Sequence, residues 1–274
     1  MRTTAVVFPF DLFGNAGTGA GAQLLGDALR EILADNALET RPTRCDAYRD
    51  LVTVNEVSFE TPKAIADWRK LGRQAIKTIL KANEFGLWFA GNHLGVLPVY
   101  EELGSTAADS TLVIQFDAHL DVYQLHDVSE HPANGNFLLH AKGPIPMVVN
   151  IGHRDLFLPK TEIRETFGVV FDSEEVMRSL SGVISNVRKL THSAKRVWID
   201  IDVDVFDPAF APAVHQQLPF GLTPTQFMPL LNAAWEGNVI GLSISEYDPG
   251  RDVRDTTLNL LGWLTEWILL KCQE

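Results

Sequence analysis

Six short apolar runs recur along the chain: Ala5-Val6-Val7-Phe8, Leu87-Trp88-Phe89, Leu112 to Phe116, Val148 to Ile151, Val197 to Ile201 and Val239 to Ile244. Their apolar residues are too nearly continuous for strands that keep one face in water. Strands buried on both faces lose the apolar and polar alternation of an exposed sheet, and helices are what cover them. Helical patterns do lie between the runs. A Gly-rich loop, Gly14 to Gly21, leads into a helix ending near Ala37, and Thr61 caps a second helix with Pro62 at its first position. Ile65, Trp68, Gly72, Ala75 and Ile79 keep one face of that second helix. Further helices are expected at Glu174 to Lys189, Thr223 to Ala234 and Thr256 to Lys271. The alternation predicts an α/β fold, a single domain over 1–274 built as three layers, α/β/α, on a mainly parallel sheet.

In such a sheet ligands bind just beyond the carboxyl ends of the strands, and acidic residues collect there. Asp117, His119 and Asp121 follow the run ending at Phe116. If the extended conformation persists, all three project to one side. Asp200, Asp202 and Asp204 repeat the pattern, and a third strand end supplies His93. One Asp-X-His at a strand end is ordinarily a turn or a helix cap, and Asp207-Pro208 is read as a turn. Two acidic triplets joined by a third strand ending in His point instead to metal. Neighbouring buried carboxylates raise one another's pKa and need cations to stay ionised. Oxygen-rich sites with a few imidazoles suit Mn²⁺ or a similar divalent ion, and this many ligands suit two ions bridged by shared carboxylates. A pair of that kind activates water as a nucleophile.

Composition removes other classes of function. With 23 Lys+Arg against 35 Asp+Glu the formal charge is −12, which argues against nucleic acid and against an anionic membrane surface as partners. Cys45 and Cys272 stand near opposite ends, so neither a disulfide framework nor a thiolate zinc site is indicated, and a reducing cytoplasm fits. The opening apolar run is too short for a secretory signal, and no stretch reaches the roughly 18 apolar residues of a membrane span.

Asp117-Ala118-His119-Leu120-Asp121 resembles the Asp-Ala-His-X-Asp motif of the ureohydrolases, the arginase and agmatinase family. The run from Asp200 to Pro212 resembles that family's second aspartate motif, and Gly91-Asn92-His93 falls where the family has Gly-Asp-His. Ser245-Glu246-Tyr247-Asp248-Pro249, Pro9-Phe10-Asp11-Leu12 and Ile151-Gly152-His153-Arg154 also fit, in family order. The resemblance implies an arginase-like fold with two Mn²⁺ per chain. One ion would be held by His93, Asp117, Asp121 and Asp202, the other by Asp117, His119, Asp202 and Asp204, with Asp117 and Asp202 bridging. It further implies that a bridging hydroxide attacks a guanidinium-type carbon, releasing urea and an amine. Glu246 would bind the cationic substrate by charge-assisted hydrogen bonds, and trimers or hexamers would be usual. Asp200 stands where the family often has Ser and is expected to accept a hydrogen bond from a ligand histidine.

The chain also departs from the pattern. Asn134 stands where the family commonly has a loop histidine, and an amide cannot shuttle a proton. His126, His131 and His140 are nearby substitutes. Asn92 replaces the acidic neighbour of the first ligand histidine. Phe157 and Tyr123 replace polar residues that in arginases hold the α-amino acid head, which makes the substrate end agmatinase-like. Glu246, Asp121 and Asn134 are thus the expected catalytic set, and Glu246, Tyr123, Asn136 and Phe157 the expected substrate-binding set. The leading expectation is a dimanganese hydrolase of a small cationic guanidino, formimidoyl or amide compound. The alternative is a metal-binding or ligand-sensing member impaired by the loss of the loop histidine. A histone-deacetylase type of deacylase is disfavoured, because one catalytic metal leaves the second aspartate triplet without a role.

Overall fold

The computed structural model describes residues 1–126 and 130–274. One eight-stranded sheet forms its centre: β1 (Thr3–Phe8), β2 (Val52–Glu56), β3 (Phe85–Ala90), β4 (Thr111–Phe116), β5 (Met147–Ile151), β6 (Val169–Phe171), β7 (Arg196–Asp202) and β8 (Val239–Ser245). The strand order is β2-β1-β3-β8-β7-β4-β5-β6, and every pairing among the described strands is parallel. β1, β3 and β4 are buried at every position, whereas the edge strand β2 is wholly half-buried or exposed. Polar Val52-Thr53-Val54-Asn55-Glu56 carries too little apolar signal to announce itself, and β2 and the three-residue β6 went unpredicted.

The pleat divides the core in two. Val7, Leu87, Ile114, Ile199 and Leu242 face α1 (Thr18–Leu38), α6 (Ser173–Ser193), α7 (Pro224–Trp235) and α8 (Thr256–Lys271). Val6, Trp88, Val113 and Trp198 face α3 (Trp68–Ala82) and α4 (Leu97–Ala107) on the other side. Two short helices complete the set, α2 (Pro62–Ala66) and α5 (Lys160–Thr166). The single helix expected from Thr61 to Ile79 is therefore two. Asp67, at φ −91° and ψ 8°, ends α2 and starts α3, so that Trp68, Gly72, Ile76 and Ile79 bury as one stripe. Trp198 lies flat against glycines on two neighbouring strands. A Cβ at Gly241 would come 2.1 Å from its ring and one at Gly86 3.0 Å.

Candidate metal centre

Four adjacent central strands, β3, β8, β7 and β4, end at one place, and every expected ligand is carried there. His93 opens a short 3₁₀ turn just past β3. Asp202 is the last residue of β7. The alternation expected beyond Phe116 fails, however. β4 stops at Phe116, Asp117 accepts the backbone N–H of His119 at 2.6 Å, and Asp121 takes a left-handed φ of 51°. Asp204 likewise sits in a 3₁₀ turn after β7, its N–H donated to Asp202 at 2.9 Å. Short polar side chains bonding to nearby backbone N–H groups turn the chain where an extended strand would have carried it into solvent. The residues converge all the same, through turns rather than through the pleat.

The atoms form two groups that share Asp117. His93, Asp117 and Asp202 offer ligand atoms all within 4.8 Å of one another, and so do Asp117, His119 and Asp204. His93 Nδ1 lies 2.8 Å from Asp121 Oδ2, 3.2 Å from Asp202 Oδ2 and 3.3 Å from Asp117 Oδ2. His119 Nδ1 is 2.9 Å from Asp204 Oδ2. His93 Nδ1 and Asp117 Oδ2 are buried without an aligned hydrogen bond. One N–H can serve one oxygen, whereas three carboxylates converging on one imidazole nitrogen are the donor set of a divalent cation.

The opposite ring nitrogen explains the orientation. His93 Nε2 is 2.9 Å from Asp200 Oδ2, which also accepts from the Tyr100 hydroxyl at 2.7 Å. Ser243 Oγ donates to the other Asp200 oxygen and accepts from Trp198 Nε1 at 3.1 Å. Asp200 thus takes the position expected of it, fixing the tautomer that leaves Nδ1 free to ligate. Tyr100 was not foreseen, since a tyrosine inside an apolar helix reads as core.

Without cations the cluster is electrostatically frustrated. Burial and Asp121 push Asp117 up to about 7, and burial with Asp204 and Asp117 pushes Asp202 well above the carboxylate range. Burial alone would lower His93, but Asp200, Asp117 and Asp121 hold it well above its ordinary value. Burial also opposes charge on His119, yet Asp204 beside it raises its pKa to about 10.

Above the cluster opens a cavity of about 640 Å³. Glu246, at a φ of 69°, reaches it from the end of β8. Its Oε1 accepts the His93 N–H at 2.8 Å and its Oε2 accepts Asn15 Nδ2 at 2.7 Å, and burial pushes it up to about 7. Asn15 was not foreseen, since one amide in a Gly-rich loop reads as an ordinary turn residue. Tyr123, Asn134, Asn136 and Phe157 all line the cavity. Asn136 is engaged within its own loop, accepting Ala133 N–H and donating to the His131 carbonyl. Among the described residues that line the cavity, His126, His131 and His140 are not found. Asn92 donates to the Leu12 carbonyl at 3.2 Å instead of supporting His93.

A family model described as the arginase family matches residues 3–269. The chain is 28% identical to an agmatinase of Proteus mirabilis over 260 residues, covering 93% of this chain and 81% of that protein. It is 30% identical to a mitochondrial arginase of Medicago truncatula over 180 residues, 62% of this chain but only half the length of that relative. Among solved structures, a hypothetical agmatinase from Burkholderia thailandensis superposes with a TM-score of 0.81 at 20% identity, covering 100% of this chain and 86% of that one.

Proposed function

The chain belongs to the arginase family, and from that premise we propose that it is a binuclear manganese hydrolase. It cleaves a C–N bond of a guanidino, formimidoyl or amide small molecule and releases urea or the corresponding product. The span 1–274 acts as one domain of a cytoplasmic homo-oligomer, a trimer or hexamer, with no nucleic acid or membrane among its partners. The observation that carries the reading is the convergence of three carboxylate oxygens on His93 Nδ1, with Asp117 shared between two ligand groups.

His93, Asp117, Asp121 and Asp202 would hold one Mn²⁺, and Asp117, His119, Asp202 and Asp204 the other. When bound, the two ions supply the positive charge that balances the carboxylates and acidifies water toward neutral pH. Glu246 binds the planar cation. Its two oxygens are already oriented by the His93 N–H and by Asn15, and each keeps a lone pair for a guanidinium N–H. A cation seated there restores the ionised form that burial opposes. Asp121, on the cavity wall, takes the proton that water loses on attack and returns it to the departing nitrogen. Asn134 closes the wall beside Tyr123 and contributes a hydrogen bond without titrating.

Loading the purified protein with Mn²⁺ and offering agmatine, guanidinobutyrate, guanidinopropionate, arginine and formimidoylglutamate tests the reading, with urea or formamide as the readout. Elemental analysis is expected to give two Mn²⁺ per chain. Two bound metals with no turnover of any compound would favour instead a ligand-sensing member, in line with the amide at Asn134.

A further inference from the structure

The floor of the cavity is charged, but its mouth is not. Leu125, Leu156, Phe157 and Leu218 line it together with the Tyr123 ring. Leu156 is fully exposed and Phe157 66% exposed, so neither is held there by the protein core. The Phe157 and Tyr123 rings meet edge to face at 6.3 Å.

Two charges stand near this rim, Arg154 and Asp155, and each already holds several protein hydrogen bonds. Both Nη atoms of Arg154 donate to backbone carbonyls, those of Gly152, Val205, Asp204 and Leu218, while its Nε is buried without a hydrogen-bond partner and out of a ligand's reach. Asp155 accepts the Tyr123 hydroxyl at 2.8 Å on one oxygen and the N–H groups of Phe157 and Leu158 on the other. Among the described residues no other Lys, Arg, Asp or Glu lines the outer cavity. A terminal carboxylate would meet no free Nη donor of Arg154, and a terminal ammonium would meet only Asp155, whose oxygens already accept three hydrogen bonds. Burying an unpaired charge is costly, whereas apolar surface gains from leaving water.

We propose that the substrates are guanidines whose tail is uncharged and apolar, alkyl or aryl, seated between Leu156, Phe157 and Tyr123. The proposal rests on the amidinohydrolase reading above, and it makes Leu156 and Phe157 the residues that set specificity.

The test uses the full-length, Mn²⁺-loaded protein and follows binding by calorimetry alongside urea release. Butylguanidine, hexylguanidine and phenethylguanidine are compared with agmatine, 4-guanidinobutyrate and arginine. Each added methylene is expected to tighten binding by roughly two- to fourfold, and hexylguanidine to bind at least ten times more tightly than agmatine. Agmatine or guanidinobutyrate binding as tightly as hexylguanidine overturns the proposal, and so does a failure of every guanidine to bind. Apolar guanidines that bind in the expected order but release no urea would uphold the tail preference while removing the hydrolytic reading. Preferred hydrolysis of a charged-tail guanidine would do the reverse. Leu156→Asp, at a position exposed enough to leave the fold untouched, is expected to move the preference at least tenfold toward agmatine.

Discussion

Asp200 is the residue on which the orientation of His93 turns. It is fully buried, and His93, Tyr100 and Ser243 all place donors against it. Asp200→Asn keeps the shape and most of these bonds but removes the charge behind the imidazole. Loss of such support behind a ligand histidine lowers metal affinity roughly 10–100-fold, so a Mn²⁺ titration is expected to show that drop while the circular dichroism spectrum is unchanged. An unaltered affinity would make Asp200 a core polar residue only. Asp121 carries a second constraint, its left-handed backbone at φ 51°. Asn tolerates that region and β-branched residues do not, so in metal-free protein Asp121→Val is expected to be about 1–2 kcal/mol less stable than Asp121→Asn in urea unfolding. The identities of these ligands were readable because carboxylates beside apolar strand runs have few other uses. Their turns were not readable. Whether a chain stays extended past Phe116 is settled by the hydrogen bond from His119 N–H to Asp117, a local choice that alternation of residue types does not encode.

Trp198 shows what a strand end asks of the strands around it. Its ring fills the face over β3 and β8, and the chain makes room with Gly86 and Gly241. At Gly241 an added methyl would meet both the ring, at 2.1 Å, and the Gly86 carbonyl oxygen, at 2.7 Å. Neither can swing away, because Trp198 is buried and tied to Ser243, and Gly86 is backbone in a paired strand. Gly241→Ala is expected to cost about 2–3 kcal/mol by overpacking, and Trp198→Phe in the same chain to recover part of it in a double-mutant cycle. The central strands and the helices α7 and α8 could be read from sequence, since burial on both faces or a capped amphipathic stripe leaves a continuous signature. The Thr223 cap and Pro224 mark α7, and α8 runs from Thr256 to Lys271 as its apolar stripe requires. α4 was missed because its residues from Leu97 to Gly104 are all buried, Glu101 and Glu102 included, and a helix buried all round shows no stripe. Arg69 and Arg73 pair with those two acids from α3, an arrangement visible only once the helices are packed.

At the scale of the whole molecule, the formal charge of −12 conceals a local debt of repulsion at the ends of β4 and β7. A group whose folded pKa exceeds its unfolded value binds its proton more tightly in the fold, so its contribution is full below the unfolded pKa and is lost as pH rises through the folded one. Asp117 and Glu246 shift from 3.8 and 4.5 up to about 7, and His119 shifts from 6.5 up to about 10, so all three carry the same sign. Asp204 runs the other way, because His119 holds it low against the effect of burial, and its contribution is lost only on acidification below 3.8. The metal-free protein is therefore expected to lose stability steadily as pH rises from acid through about 7 and onward to about 10. Divalent cations bind the deprotonated ligands and displace those protons, so their affinity grows over the same interval. A metal at a hundred times its dissociation constant adds about 2.7 kcal/mol per site, or roughly 5–10 °C in a chain of this size. Scanning calorimetry with Mn²⁺ and with chelator is expected to show that gain at pH 8.5 and a much smaller one at pH 5.5. A gain that is equal at the two values, or larger in acid, would mean that the buried carboxylates are not what the cations meet.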